Sequence, residues 1–315
     1  MLPFKLVYHD GYDLHLGAHV FPSEKYRLIK ERLLAEGFAE PSDFIAPDPA
    51  SDADLLLVHD RGWVKRLKTG TLNPTEALRL EIPYSPETME AFWLCAGGSI
   101  LAARLALRDR VGFNIGGGFH HAFPAHGEGF CAIHDVAIAI RKLQQEKLVE
   151  QVMVVDTDVH HGNGTAAIFA RDASVFTLSI HQLHNYPDEK PPSNIDIHLP
   201  DGTGDEEYLE RLEEGCRKGM DASKPQLVMY VAGGDPYAQD KLGGLSLSIE
   251  GLKARDRLVF DLALKRGAVV AVALAGGYAM RLEDTVTIHC NTAHAAAEAL
   301  MDSAGPTAAV QPSAG

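Results

Sequence analysis

Seven short runs of apolar, largely β-branched residues recur along the 315-residue chain, and most of them end directly on glycine, aspartate or histidine. They occupy 5–9 (KLVYH), 55–59 (LLLVH), 111–115 (VGFNI), 152–156 (VMVVD), 174–180 (SVFTLSI), 227–232 (LVMYVA) and 269–274 (VVAVAL). Continuous apolar runs of this length suit strands buried on both faces, as in a parallel sheet. Amphipathic segments separate them, at 22–36, 86–108, 134–148, 205–220, 248–266 and 281–301. Pro22-Ser23-Glu24 and Ser85-Pro86-Glu87 read as helix starts, where proline's missing donor costs nothing. The alternation predicts an α/β fold: an open, mostly parallel, doubly wound sheet with helices on both faces. Neither a repeat nor a linker interrupts it, so one domain is expected over 1–301. The Ala-, Ser-, Pro- and Gly-rich stretch 302–315 reads as a disordered tail.

Ligands of such a sheet bind beyond the carboxyl ends of its strands, so the residues that follow each run are diagnostic. Gly116-Gly117-Gly118-Phe119-His120-His121 follows one strand, and Asp156-Thr157-Asp158-Val159-His160-His161-Gly162-Asn163-Gly164 follows the next. Ser179 and His181 end another, Gly233-Gly234-Asp235 follows 227–232, and Gly276-Gly277-Tyr278 follows 269–274. Glycine permits the sharp turns and close backbone approach that a ligand rim needs.

On an extended segment, side chains two residues apart point the same way, so Asp158 and His160 can converge on one ion. With Asp235 from a separate strand they would supply one nitrogen and two carboxylates. Three protein ligands leave room for water, as in catalytic zinc sites. The competing reading is that Asp158 and His160 cap a helix beginning near Gly162. His120 and His121 would set paired imidazoles beside the ion, one available to take a proton from bound water. Asp156 could hold one of these rings from behind. Alone, the pair would read as solvent-facing loop histidines. Tyr278 could donate to a developing oxyanion, although a tyrosine after a strand is more often packing.

Charge and cysteine usage narrow the classes further. Lys+Arg 29 against Asp+Glu 43 gives a net charge of −14, which argues against backbone recognition of nucleic acid. Four scattered cysteines (Cys95, Cys131, Cys216, Cys290) make no C-x-x-C pair and suit reduced thiols. The first residues lack a basic segment followed by an apolar one, and no uninterrupted apolar stretch of membrane-spanning length occurs. A cytoplasmic protein without a membrane partner is therefore expected. Of the 15 histidines, His9, His59, His134 and His161 read as structural hydrogen-bonders at element ends. Cys131 reads as a small buried apolar residue, and His184 with Asn185 as possible lining of a pocket mouth.

The chain resembles the zinc-dependent histone deacetylase family, which includes acetylpolyamine amidohydrolases and acetoin-utilisation proteins. The resemblance rests on Gly116–His121, Gly129-Phe130-Cys131, Asp156–Thr165, Gly233-Gly234-Asp235, Leu242-Gly243-Gly244-Leu245-Ser246 and Gly276-Gly277-Tyr278, in family order across nearly the whole chain. Val7-Tyr8-His9, Phe21-Pro22, Lys25-Tyr26 and Asp240–Gly244 look most like the class IV branch and its bacterial relatives.

The resemblance implies an arginase/deacetylase-type fold and hydrolysis of an N-acyl-lysine-like amide. Asp158, His160 and Asp235 match the zinc ligands, His120 the imidazole paired with a buried carboxylate (here Asp156), and His121 the general base and acid. Tyr278 matches the carbonyl-polarising tyrosine. Gly129 and Phe130 match one wall of the acyl-lysine channel, and Tyr186 matches the other. A family monovalent-cation site, usually potassium, would fall on Asp156, the Asp158 and His160 carbonyls, Ser179 and Ile180. Asn163 stands where some branches place an aspartate behind the second histidine. The rim aspartate of many members is matched only approximately, by Glu81. Two other functions compete with acyl-lysine hydrolysis. One is deacetylation of polyamines or other small amides, and the other is a weakly active module that binds acylated ligands.

Overall fold

The computed structural model describes residues 2–303, which contain one sheet of eight strands. The strands are β1 Leu6–Val7, β2 Phe44–Ile45, β3 Val111–Asn114, β4 Val152–Asp156, β5 Val175–Gln182, β6 Ile195–Leu199, β7 Leu227–Gly233 and β8 Val269–Ala275. All pairings are parallel, in the order β2-β1-β3-β8-β7-β4-β5-β6. The chain first flanks β1 with β2 on its outer side and β3 on its inner side, then crosses to build β4, β5 and β6 outwards, and only later fills the gap with β7 and β8. Every residue of β3, β4 and β7 is buried, as strands covered on both faces must be.

Helices cover both faces. Ser85 caps α5 Pro86–Asp109, which packs on β3, β8 and α6 Asp135–Gln145. Helix α5 is long and apolar enough to cross a membrane by composition, but most of it is buried in this layer. A second layer joins α1 Lys25–Ala35, α8 Asp205–Ser223, α9 Ile249–Lys265 and α10 Leu282–Ser303. Short helices α2 Asp52–Leu55, α3 Arg61–Thr69, α4 Pro74–Leu80 and α7 Asn163–Phe169 complete the fold.

Three local expectations fail. The run 55–59 is not a strand but the end of α2 and the turn after it. Ser51 and Asp54 form a reciprocal capping box that starts a helix there, and Leu55 spends its apolar side chain in the core. Strands β2 and β6 were not expected from the apolar runs. The tail boundary also moves: Asp302 and Ser303 are helical, and 304–315 lie outside the described residues.

Candidate active site

Four adjacent central strands, β3, β8, β7 and β4, deliver the polar rim. Asp158, His160 and Asp235 come together with ligand atoms within 4.8 Å of one another. His160 Nδ1 lies 2.9 Å from Asp158 Oδ1 and 3.4 Å from Asp235 Oδ2. One oxygen of Asp235 accepts from the Val159 amide at 2.9 Å, while Oδ2, fully buried, makes no hydrogen bond. A Cβ on Gly276 would stand 2.2 Å from that oxygen and 2.7 Å from Asp158 Oδ2, so glycine keeps this cradle open. The donors and the orphaned oxygen fit a divalent ion with N/O preference.

The electrostatics agree. Burial disfavours charge on His160, but Asp158 and Asp235 outweigh it and raise the ring to about 10. Against the cost of its own burial, His120 and His160 hold Asp158 well below the usual carboxylate range. Burial, and then the Asp158 charge, pushes Asp235 up. A group of two carboxylates and one imidazole that clings to a proton is a group with an unmet demand for positive charge.

The paired histidines are held differently. His120 Nδ1 lies 2.6 Å from Asp156 Oδ2, and despite burial the Asp156 and Asp158 charges raise this ring to about 9. His121 Nδ1 lies 2.7 Å from Asn163 Oδ1, whose orientation is fixed because Asn163 Nδ2 donates to Glu128 at 2.6 Å. His121 Nδ1 therefore carries the proton, leaving the lone pair on Nε2. Burial first, then the His120 and His160 charges, drives His121 well below its ordinary value. It is a neutral base by construction.

Tyr278 sits on a turn that needs Gly276 at φ 46° and Gly277 at φ 88°. Burial, then Asp235 and Asp158, pushes its phenol well above the ordinary value, so it stays a donor. Above lies a pocket of about 510 Å³ of empty space, lined by Glu81, His121, Gly129, Phe130, His160, Asn185, Tyr186, Leu242 and Tyr278. Phe130 lies edge-on to Tyr278 at 6.1 Å, and Tyr186 edge-on to His121 at 4.9 Å, giving two aromatic walls. Gly129 is needed between them: a Cβ there would approach His121 and Tyr186 to 2.8 and 2.9 Å.

The sequence profile of the histone deacetylase domain matches residues 19–293. This chain belongs to the histone deacetylase family. It is 40% identical over 287 residues to an uncharacterised protein of Picosynechococcus sp. (strain PCC 7002), covering 91% of this chain and 96% of that one. It is 32% identical to Histone deacetylase 2 of Arabidopsis thaliana (87% and 74% covered) and 30% identical to a histone deacetylase-like amidohydrolase of Pseudomonas aeruginosa (82% and 72%). The crystal structure of the HDA15 HD domain superposes with a TM-score of 0.76 at 25% identity, covering 94% of this chain and 90% of that one. The fold is thus the arginase/deacetylase type, and the family's enzymes are deacetylases and amidohydrolases.

In this histone deacetylase-family chain, every residue singled out for the site except His184, Ser179 and Ile180 lies at or against the rim or pocket; Ser179 and Ile180 are buried within β5. His184 is exposed and outside the lining, whereas Asn185 lines it and bonds the Leu242 carbonyl at 2.8 Å. Glu81 lines the mouth and is pushed up by burial and by Glu128. Cys131 is buried, its thiol is raised well above the ordinary value by burial, and it donates to the Gly129 carbonyl at 3.3 Å. Asp156 and Ser179 are register partners on β4 and β5. His9, His59 and His134 make local hydrogen bonds with backbone or Thr165.

Four residues position the site in ways the sequence did not reveal, although Lys25 and Asp240 belong to its class IV-like motifs. Asp240 accepts the Tyr278 amide at 2.6 Å, and burial with Asp235 pushes it up to about 7. Asp135 accepts the amides of Gly118 and Phe119 at 3.0 and 2.8 Å, shaping the turn into His120. Lys25, fully buried, donates to the Gly276 carbonyl, and burial lowers it to about 8 despite Asp235 and Asp158. Arg255, also fully buried, donates to the Gly233 carbonyl at 2.6 Å and the Thr157 carbonyl at 3.3 Å.

Proposed function

We propose that this chain hydrolyses the amide of an N-acyl-lysine-like group, with one zinc ion held by Asp158, His160 and Asp235. The observation that carries the reading is the orphaned Asp235 oxygen in that cluster, whose His160 lines a pocket that also presents Tyr278 and His121. Zinc there supplies Lewis-acid polarisation of the acyl carbonyl and acidifies a water towards a pKa of about 7. His121 Nε2 takes the proton of the attacking water and returns one to the leaving amine. His120 is held by Asp156 and keeps positive character beside the reacting carbon. The Tyr278 hydroxyl donates to the oxygen that gains charge. Phe130 and Tyr186 hold an extended alkyl chain between them and exclude water from it. A potassium ion would be held by Asp156, the Asp158 and His160 carbonyls, Ser179 and Ile180. The register pairing of Asp156 with Ser179 supports that placement.

A second substrate class, acylated polyamines, is favoured by the acidic mouth, where Glu81 lies close enough to Glu128 to feel its charge. The deciding experiment strips metal with a chelator, restores zinc, and assays acetyl-, butyryl- and myristoyl-lysine peptides beside acetylpolyamines. Zinc-dependent release of acid from one class is expected. Turnover indifferent to chelation, or none on any amide, would overturn the reading.

A further inference from the structure

A second group of ligating side chains lies outside the catalytic rim, at the β5–β6 edge. His161, His181 and Asp196 offer ligand atoms within 4.8 Å of one another. Strand register explains how they meet. Ser179 pairs with Asp196 and His181 with His198, so four polar side chains share one face of the two-strand edge. His161 closes over them from the loop before α7, its ring 4.6 Å from that of His181, which is 4.7 Å from that of His198.

Three nitrogen-bearing rings and a carboxylate at this spacing are more than a hydrogen-bond network needs. His161 Nε2 is 3.1 Å from Asp196 Oδ1, and His181 Nε2 is 2.8 Å from His198 Nδ1. Between the last two, one nitrogen must present its lone pair to the other. His161 Nδ1, in a ring with no exposure, has no partner at all. The supporting contacts are those of a ligand set. Ser179 Oγ meets the other nitrogen of His181 at 2.9 Å, and the Ser193 amide donates to Asp196 Oδ2 at 2.8 Å, fixing ring and carboxylate. His161 and His181 are buried, Asp196 is half-buried and His198 is exposed, so the cluster opens to solvent through His198.

We propose that this edge is a second metal site, in which His161, His181 and Asp196 bind a first-row divalent ion such as zinc, with His198 as the outer fourth ligand. Imidazole with one carboxylate suits zinc, nickel or copper and excludes the calcium and magnesium class. The site shares no side chain with Asp158, His160 or Asp235. It joins the two ends of the 183–194 segment, which carries Tyr186, and His161 itself donates its amide to the Tyr186 carbonyl at 3.4 Å. Metal at the edge therefore braces the segment that forms one wall of the pocket.

The test counts zinc. Chelator-stripped full-length protein is titrated with Zn2+ against a chromophoric chelator, and bound zinc per chain is measured by mass spectrometry. Asp196→Ala should lower the wild-type stoichiometry by one. His198→Ala, on the exposed edge where folding is not at stake, should weaken the same equivalent by at least the ~10–100-fold that loss of a supporting residue costs. A stoichiometry and affinity unchanged by both substitutions would overturn the proposal. Asp158→Ala and Asp235→Ala should leave this equivalent in place, so failure of the catalytic assignment shows up as a separate loss.

Discussion

The sheet gathers histidine and aspartate at two places, the central rim of β3, β8, β7 and β4 and the edge formed by β5 and β6. Both use side chains two residues apart, Asp196 with His198 on strand β6 at the edge and Asp158 with His160 in the bend that follows β4 in the centre. Their surroundings differ. In the centre a buried carboxylate oxygen is unsatisfied, a neutral imidazole keeps a lone pair free, a phenol stands ready to donate, and a pocket leads in. At the edge most of the groups bond one another, and the opening is the exposed ring of His198 rather than a pocket. Ligands alone make a place for an ion. A reaction also needs a base whose lone pair is not shared, a donor for developing charge, and room for the substrate.

The sharpest way to break this contrast is Asp235→Ala. Turnover should fall to background and the central metal be lost, while the edge keeps its equivalent; metal counting beside an acyl-lysine assay checks both. Persistent turnover would mean that the central rim is not where the amide reacts. Next in size is Tyr278→Phe, which should cut kcat by ~10²–10³-fold with metal content unchanged, as expected for removal of one oxyanion donor. Asn163→Asp probes the base. Burial and neighbouring imidazoles hold His121 well below its ordinary value, so the wild-type protein retains its base as pH falls through the ordinary histidine range. A carboxylate at 163 favours the charged ring and raises its pKa, so the acid limb of the kcat/KM profile should move to higher pH. An unmoved limb would show that another group sets it. The smallest effect is expected at the edge: His198→Ala removes a hydrogen bond to buried His181, so metal-free stability should fall by ~1 kcal/mol, and only the part of the zinc-dependent rise in Tm due to the edge ion should shrink.

How much of this was legible in the sequence follows from where each residue sits. Central strands such as Val152–Asp156 and Leu227–Gly233 are covered on both faces, so they appear as unbroken apolar runs. The glycines and ligands behind them stand at fixed offsets. The edge strand Ile195–Leu199 alternates Ile, Asp, Ile, His, Leu because one side is wet, and a search for continuous runs passes over it. Phe44–Ile45 is too short to carry a pattern. The run at 55–59 looked like a strand because a capping box at Ser51 outweighs β-propensity only when its side-chain bonds can be seen. The roles of Asp135, Asp240, Lys25 and Arg255 were invisible for a common reason: they act on backbone amides and carbonyls, which have no letter in the sequence.

The Arg255 guanidinium grips the carbonyl just before Asp158 and the carbonyl two residues before Asp235, and Asp256 holds it in place at 2.7 and 2.9 Å. Asp256 is itself bonded by Thr292 from α10. The gap between the Asp158 and Asp235 carboxylates is thus gauged by α9, which adds no side chain to the proposed ligand set. Preference among ions of similar charge depends on site geometry as well as on ligand type. Changing the ion that the proposed site would prefer therefore begins at the Arg255–Asp256 pair, without touching Asp158, His160 or Asp235.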